Sequence, residues 1–262
     1  MAENRWRLDG RVAIVTGAGS PSGIGVATAR ELARLGAAVG LVGLSGRVHE
    51  RRAELVSTGA RAESASADLT NPVATRHALD SLVETLGPPS ILVANAGMTA
   101  VGDPERSGAL WELDATAIEH ELARNLTSAL FTLHHLGPTL RAAGEAARVV
   151  LIGSTTGAVN AMAGQAVYAA AKAGMLGLAR ALALDLAPGT ANVVAPGWVA
   201  TASQTEAERI AGCATPLGRS ARPEEVAAVV AFLCLPAASY VSGTIVVVDG
   251  ANSVVEARQT AP

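Results

Sequence analysis

The chain has 262 residues, half of them apolar and 16% charged, with a formal net charge of −3. That composition excludes a disordered chain, and the lack of a basic excess excludes the electrostatic footprint of a nucleic-acid binder. The two cysteines, Cys213 and Cys234, and the scattered histidines lack zinc-ligand spacing, residues 1–11 are too polar for a signal peptide, and no apolar run of about 18 residues is free of Gly, Pro and charge. The expectation is a cytoplasmic protein with no metal, no membrane span and no nucleic-acid partner.

Along the chain, short apolar runs alternate with helical stretches rich in Ala, Leu, Arg and Glu. Residues 11–16 (RVAIVT) predict a strand and 25–35 a helix; 38–42 predict a second strand and 48–58 a helix. A weaker strand follows at 61–67. Asn71 and Pro72 then open a helix to 86, the asparagine at the N-cap and the proline in the first turn. Residues 90–94 (SILVA) predict a strand, 114–140 a mostly helical stretch, 148–152 (RVVLI) a strand and 167–186 a long helix. The last elements are a short strand at 191–195, a helix at 223–235 with Pro and two Glu in its first turn, and a strand at 244–248 (TIVVV). Near-continuous apolar strands are buried on both faces. The expected architecture is therefore one α/β domain, residues 1–262. It is a Rossmann-type, doubly wound parallel sheet of about seven strands with helices on both faces. Two stretches break the alternation, 98–113 and 200–219.

The turn after the first strand reads Thr16-Gly17-Ala18-Gly19-Ser20-Pro21-Ser22-Gly23-Ile24-Gly25. Glycines at that position let the backbone turn tightly and approach a pyrophosphate, which the free N–H groups of the following helix can bind. Tyr168 and Lys172 stand four apart on one helix face, where the ammonium can favour the phenolate of a side chain whose ordinary pKa is about 10. Taken singly, each feature has an ordinary structural explanation. Taken in order they are specific: Asp68-Leu69 after the third strand, Asn95-Ala96-Gly97 after the fourth, Asn125 in Asn-Leu-Thr, Ser154 after the fifth, Tyr168-Ala-Ala-Ala-Lys172, and Pro196-Gly197 after the sixth with Thr201 nearby.

On these motifs residues 8–252 resemble the short-chain dehydrogenase/reductase family, classical type. Within it the chain is most similar to 3-oxoacyl carrier-protein reductases and secondary-alcohol dehydrogenases. The resemblance implies a hydride transfer between a nicotinamide cofactor and a ketone or 3-oxoacyl group, or the matching secondary alcohol. Tyr168 would be the acid/base, Ser154 would bind the reacting oxygen, Lys172 would hold the nicotinamide ribose, and Asn125 would support a proton-relaying water. The cofactor would contact Gly17, Gly19, Ser20, Ser22, Gly23, Ile24, Asp68, Leu69, Asn95, Ala96, Gly97, Tyr168, Lys172, Pro196, Gly197, Val199 and Thr201. Met98, Thr155, Thr156, Gln165 and Trp198 would line the substrate pocket, and Arg209 and Arg219 are candidates for holding a substrate acid. A homotetramer is also implied.

Three departures from the family pattern stand out. Five residues rather than three separate Gly17 from Gly23. The stretch from Met98 to Arg124 is longer than usual. The position that carries an acid in NAD-binding members is Gly43. With Ser45 and Arg47 close behind as candidates for a 2′-phosphate, NADP(H) is favoured over NAD(H). A function from another class, a catalytically silent dinucleotide-binding sensor or scaffold, predicts the loss of Ser, Tyr or Lys from the set, and all three are present.

Overall fold

The computed structural model describes residues 4–97 and 108–255. Seven parallel strands form one sheet in the order β3-β2-β1-β4-β5-β6-β7. They are β1 (Val12–Thr16), β2 (Ala38–Gly43), β3 (Ala62–Ser66), β4 (Ile91–Ala94), β5 (Arg148–Ile152), β6 (Thr190–Pro196) and β7 (Ile245–Val248). The order reverses between β1 and β4, and this switch point opens a crevice at the carboxyl ends of the strands.

Strand alternation supplies two cores. Val15, Ile91, Val93 and Val150 point to one face, where they meet Leu32 of α1 (Ile24–Arg34), Leu55 of α2 (Arg47–Ser57) and Val226 and Val230 of α9 (Pro223–Cys234). Ile14, Leu92, Val149 and Leu151 point to the other. There they pack on Leu79 and Leu82 of α3 (Pro72–Leu86), Leu133, Leu136 and Leu140 of α5 (Ser128–Ala142), and Met175 and Ala179 of α7 (Ala166–Asp185).

Most boundaries fall within a residue or two of the sequence expectation. Asn71 caps α3, its side chain accepting the N–H groups of Val73 and Ala74 at 2.9 and 3.0 Å. The stretch expected to be mostly helical from 114 to 140 is α4 (Ala115–Leu122), then a π-helical turn (Ala123–Thr127), then α5. Two helices were not anticipated, the single turn α6 (Thr155–Ala158) and α8 (Glu206–Cys213). The second lies inside the 200–219 excursion. Its signature, Thr205-x-x-Glu208, is a capping box: Thr205 Oγ1 accepts the Glu208 N–H at 3.2 Å, and Glu208 Oε2 accepts the Thr205 N–H at 2.7 Å. Helix α7 is long and apolar enough to cross a membrane by length and composition alone. It lies instead along β5 and β6, with Met175 and Ala179 fully buried.

Candidate active site

The loops after β1 to β6 all emerge at one edge of the sheet. The turn after β1 is braced by Asn95. Thr16 Oγ1 accepts the N–H groups of Asn95 and Ala96, each at 3.0 Å. Asn95 Nδ2 donates back to the carbonyls of Thr16 and Gly17 at 3.0 and 3.1 Å. Gly17 has φ of +68°, and a Cβ there would stand 2.7 Å from Asn95 Nδ2, so only glycine permits this closeness. Helix α1 begins after Gly23, which offers no side-chain cap, so its first N–H groups are free of side-chain partners. Within the enlarged turn, Ser22 Oγ accepts the Ala202 N–H at 3.0 Å and ties this loop to the 200–219 excursion.

Beyond β2, a Cβ on Gly43 would lie 2.9 Å from the Val48 Cβ and 3.5 Å from the Gly19 Cα, so an acidic side chain has no ready place there. Ser45 and Arg47 are exposed, with Arg47 Nε donating to Ser45 Oγ at 3.3 Å. Asp68 is exposed, and its Oδ1 accepts both the backbone N–H and the hydroxyl of Thr70 at 2.9 and 2.7 Å. Leu69 turns its side chain into the core, so of this pair only Asp68 presents a side chain to the crevice edge.

Ser154 lies just past β5, its hydroxyl accepts the Thr156 N–H at 3.1 Å, and it is close enough to Tyr168 to lower the pKa of the phenol. Tyr168 and Lys172 occupy successive turns of α7, with Lys172 Nζ 5.8 Å from the centre of the Tyr168 ring and donating to the Ile152 carbonyl at 3.1 Å. The other tyrosine, Tyr240, is fully exposed. Lys172 is 2% exposed and is the only lysine in the chain. Burial pulls its pKa from 10.5 down to about 8, against the opposing charge of Glu121. The ammonium was expected to favour the phenolate of Tyr168. Instead burial pushes the phenol up, opposed by the Ser154 hydroxyl and aided by Glu121 and Glu208, so the protonated form prevails at neutral pH.

Asn125 is fully buried at the π-helical turn, an irregularity common at functional sites. Its Nδ2 donates to Glu121 Oε1 at 2.8 Å and to the Glu121 carbonyl at 3.3 Å. Gly97 meets this group: a Cβ on it would be 2.9 Å from Asn125 Oδ1 and 3.0 Å from Lys172 Nζ. The structure thus gathers Ser154, Tyr168, Lys172, Asn125 and Gly97 at the end of β5.

On the substrate side Thr155 and Thr156 are buried, Gln165 precedes α7, and Trp198 is half-buried. Pro196 ends β6, the Gly197 N–H bonds the Val248 carbonyl at 3.0 Å, and Val199 bridges to Ala221 at the root of the excursion. Thr201 pairs its hydroxyl with Ser203 at 3.0 Å. Met98 and the residues after it as far as 107 lie outside the described residues. Arg209 is held by Glu206 and Arg219 by Glu225, so both guanidinium groups already have carboxylate partners. Glu121 and Glu208 were missed in the sequence. Glu208 stands in the capping box of α8. Glu121 stands four residues before Asn125, one helical turn away.

A sequence-family model described as enoyl-(acyl carrier protein) reductase matches residues 17–251. The chain belongs to the short-chain dehydrogenase/reductase family. It is 37% identical over 251 residues to a cis-4-hydroxycyclohexanecarboxylate dehydrogenase of Sinomonas cyclohexanicum, covering 94% of this chain and 97% of that one. It is 38% identical over 253 residues to a 3-oxoacyl-[acyl-carrier-protein] reductase of Pseudomonas aeruginosa, covering 93% and 97%. A short-chain dehydrogenase/reductase structure from Serratia marcescens superposes with a TM-score of 0.84 at 30% identity, covering 94% of this chain and 99% of that one. This short-chain dehydrogenase/reductase is an NAD(P)-dependent oxidoreductase acting on carbonyl or alcohol substrates.

Proposed function

We propose that this enzyme interconverts a ketone or 3-oxoacyl group and the matching secondary alcohol, with NADP(H) as the favoured cofactor and Tyr168 as acid/base. The observation that carries the reading is the Ser154–Tyr168 hydroxyl pair set beside a buried ammonium at the carboxyl end of β5. A bound reduced nicotinamide supplies a hydride to the carbonyl carbon. Tyr168, protonated at neutral pH, gives its proton to the carbonyl oxygen, and Ser154 donates a hydrogen bond to the charge developing there. Lys172 holds the cofactor ribose and stabilises the phenolate left behind. Asn125 keeps its carboxamide oxygen on the Lys172 side.

The residues fit a dinucleotide. The turn at Gly17, Gly19, Ser20 and Ser22 leads into the uncapped start of α1 at Gly23 and Ile24, which suits a pyrophosphate. Asp68 suits the adenine, and Asn95, Ala96, Gly97, Pro196, Gly197, Val199 and Thr201 line the remaining course. NADP(H) is favoured because the filled space at Gly43 disfavours the acid that selects NAD, while exposed Ser45 and Arg47 suit a 2′-phosphate. The 200–219 excursion is the proposed lid, with Thr155, Thr156, Gln165 and Trp198 as pocket wall. A homotetramer accords with the family and with the exposed apolar side of α7, where Leu184 is 82% exposed. Light scattering tests it, with a particle about four times the 26.3 kDa chain expected. A cytoplasmic location accords with Cys213 and Cys234 both being free thiols.

The deciding experiment follows NADPH and NADH oxidation against a panel of ketones, diketones and 3-oxoacyl thioesters. NADPH is expected to be the better donor. Tyr168→Phe is expected to lower turnover by about 10²–10⁴-fold while cofactor binding persists. Turnover that survives in Tyr168→Phe removes the tyrosine from the acid/base role.

A further inference from the structure

The carboxylate of Glu121 accepts a hydrogen bond from the Asn125 carboxamide at 2.8 Å. A carboxylate only accepts, whereas a carboxamide has a donating and an accepting end. With Nδ2 directed to Glu121 at 2.8 Å, Oδ1 must face the opposite way, and it does: the same Gly97 Cβ point lies 2.9 Å from Oδ1 and 3.0 Å from Lys172 Nζ. A flipped carboxamide would set its oxygen against a carboxylate and its NH2 toward an ammonium. Both contacts would be repulsive, so the carboxylate fixes the flip. Glu121 also carries the charge that opposes the desolvation of Lys172.

We infer that Glu121 is a positioning residue of this enzyme: its carboxylate locks the orientation of the Asn125 carboxamide and supplies the countercharge that keeps the buried Lys172 an ammonium. The inference rests on the reading of Tyr168 and Lys172 as the acid–base pair. Among the described residues, the charges acting on that pair are Glu121 from α4 on both groups and Glu208 from α8 on Tyr168. Arg124, three residues beyond Glu121, has partners of its own. Removing the Glu121 charge disfavours the ammonium of Lys172 and favours the phenolate of Tyr168, so both titrations move to lower pH.

The single lysine makes the test direct. In protein labelled with [ε-13C]lysine, the only lysine side-chain resonance is that of Lys172, and its pH titration is read without substrate. Glu121→Gln, which keeps an accepting oxygen but removes the charge, is expected to lower the Lys172 midpoint by about one unit or more. It should move the alkaline limb of reductive kcat/KM in the same direction. Glu121→Asp should restore much of the shift, and Glu119→Gln, on the exposed side of α4, should leave the midpoint unchanged. If Glu121→Gln fails to fold, Glu121→Met removes the same charge and is titrated in its place. An unmoved midpoint in the folded uncharged variant overturns the inference, whatever the activity. A shifted midpoint in a protein that turns over no carbonyl with either cofactor supports the inference and leaves the proposed reaction to fail by itself.

Discussion

At the scale of single residues, the proposed active site is held together at the expense of the fold. Lys172 is an ammonium in a buried place, and its pKa of about 8 lies below the ordinary 10.5. The unfolded chain therefore binds more protons than the native one between those values, and stability rises as pH climbs from about 8 to about 10.5. Below 8 both states are protonated and the full cost is present. Lys172→Met should abolish activity yet stabilise the protein at pH 7 by about 1–3 kcal/mol, since each pKa unit is worth about 1.4 kcal/mol. Denaturant melts across this pH range would check both the gain and its disappearance near pH 10.5. Gly97→Ala tests the closeness of the group from another side. Its Cβ would press on Asn125 Oδ1 and Lys172 Nζ at 2.9 and 3.0 Å, and φ of +151° is unfavourable for alanine. We expect kcat/KM to fall about 100-fold in a protein with an unaltered circular dichroism spectrum. Ser154, Tyr168, Lys172 and Asn125 could be singled out in the sequence because their order and spacing match the pattern of a family. Glu121 could not be, because its contact depends on where a π-helical turn sets the carboxamide four residues on.

At the scale of elements, most strands were read closely because short apolar runs leave little choice of boundary, and β3 (AESAS) was the weaker signal. Helix α8 carries a capping box but has only eight residues with Ile210 as its one large apolar side chain, so hydrophobic periodicity does not mark it. The root of that excursion is fastened at α9. Glu225 accepts the Arg222 N–H at 2.7 Å and binds Arg219 through both oxygens at 2.7 Å. These partners hold its carboxyl down at about 2, so the stability it brings is present above the ordinary value of 4.5 and is lost as pH falls through 2. Glu225→Ala should cost about 1 kcal/mol at pH 7, the usual worth of a helix cap with exposed ion pairs. The difference from the parent protein should vanish near pH 2, as urea titrations would reveal.

At the scale of the whole molecule, parallel strands make convergence unavoidable: every strand delivers its following loop to the same edge. The reversal of strand order between β1 and β4 then separates the loops into two banks with a crevice between them. Alternation of strands and helices predicted a parallel sheet covered on both faces, but nothing in hydrophobic periodicity dictates that β3 and β7 are the edges. Strand β7 is only half-buried although it reads IVVV, and α7 leaves Leu184 outside. In a monomer such apolar surface is a liability; between copies it is contact area. Periodicity marks a residue as apolar and does not say whether its own chain or another covers it.

A protein with nineteen arginines and a single lysine has another property. Endoproteinases specific for lysine find one susceptible peptide bond in the entire sequence, Lys172–Ala173, and it lies midway along α7 within a regular helix. Cleavage demands that the helix carrying Tyr168 leave the sheet, since no exposed lysine offers an easier cut. The appearance of two fragments, residues 1–172 and 173–262, would therefore time the opening of α7 in the unmodified chain. A nucleotide that binds across this edge of the sheet would slow that clock in proportion to how firmly it holds the helix down.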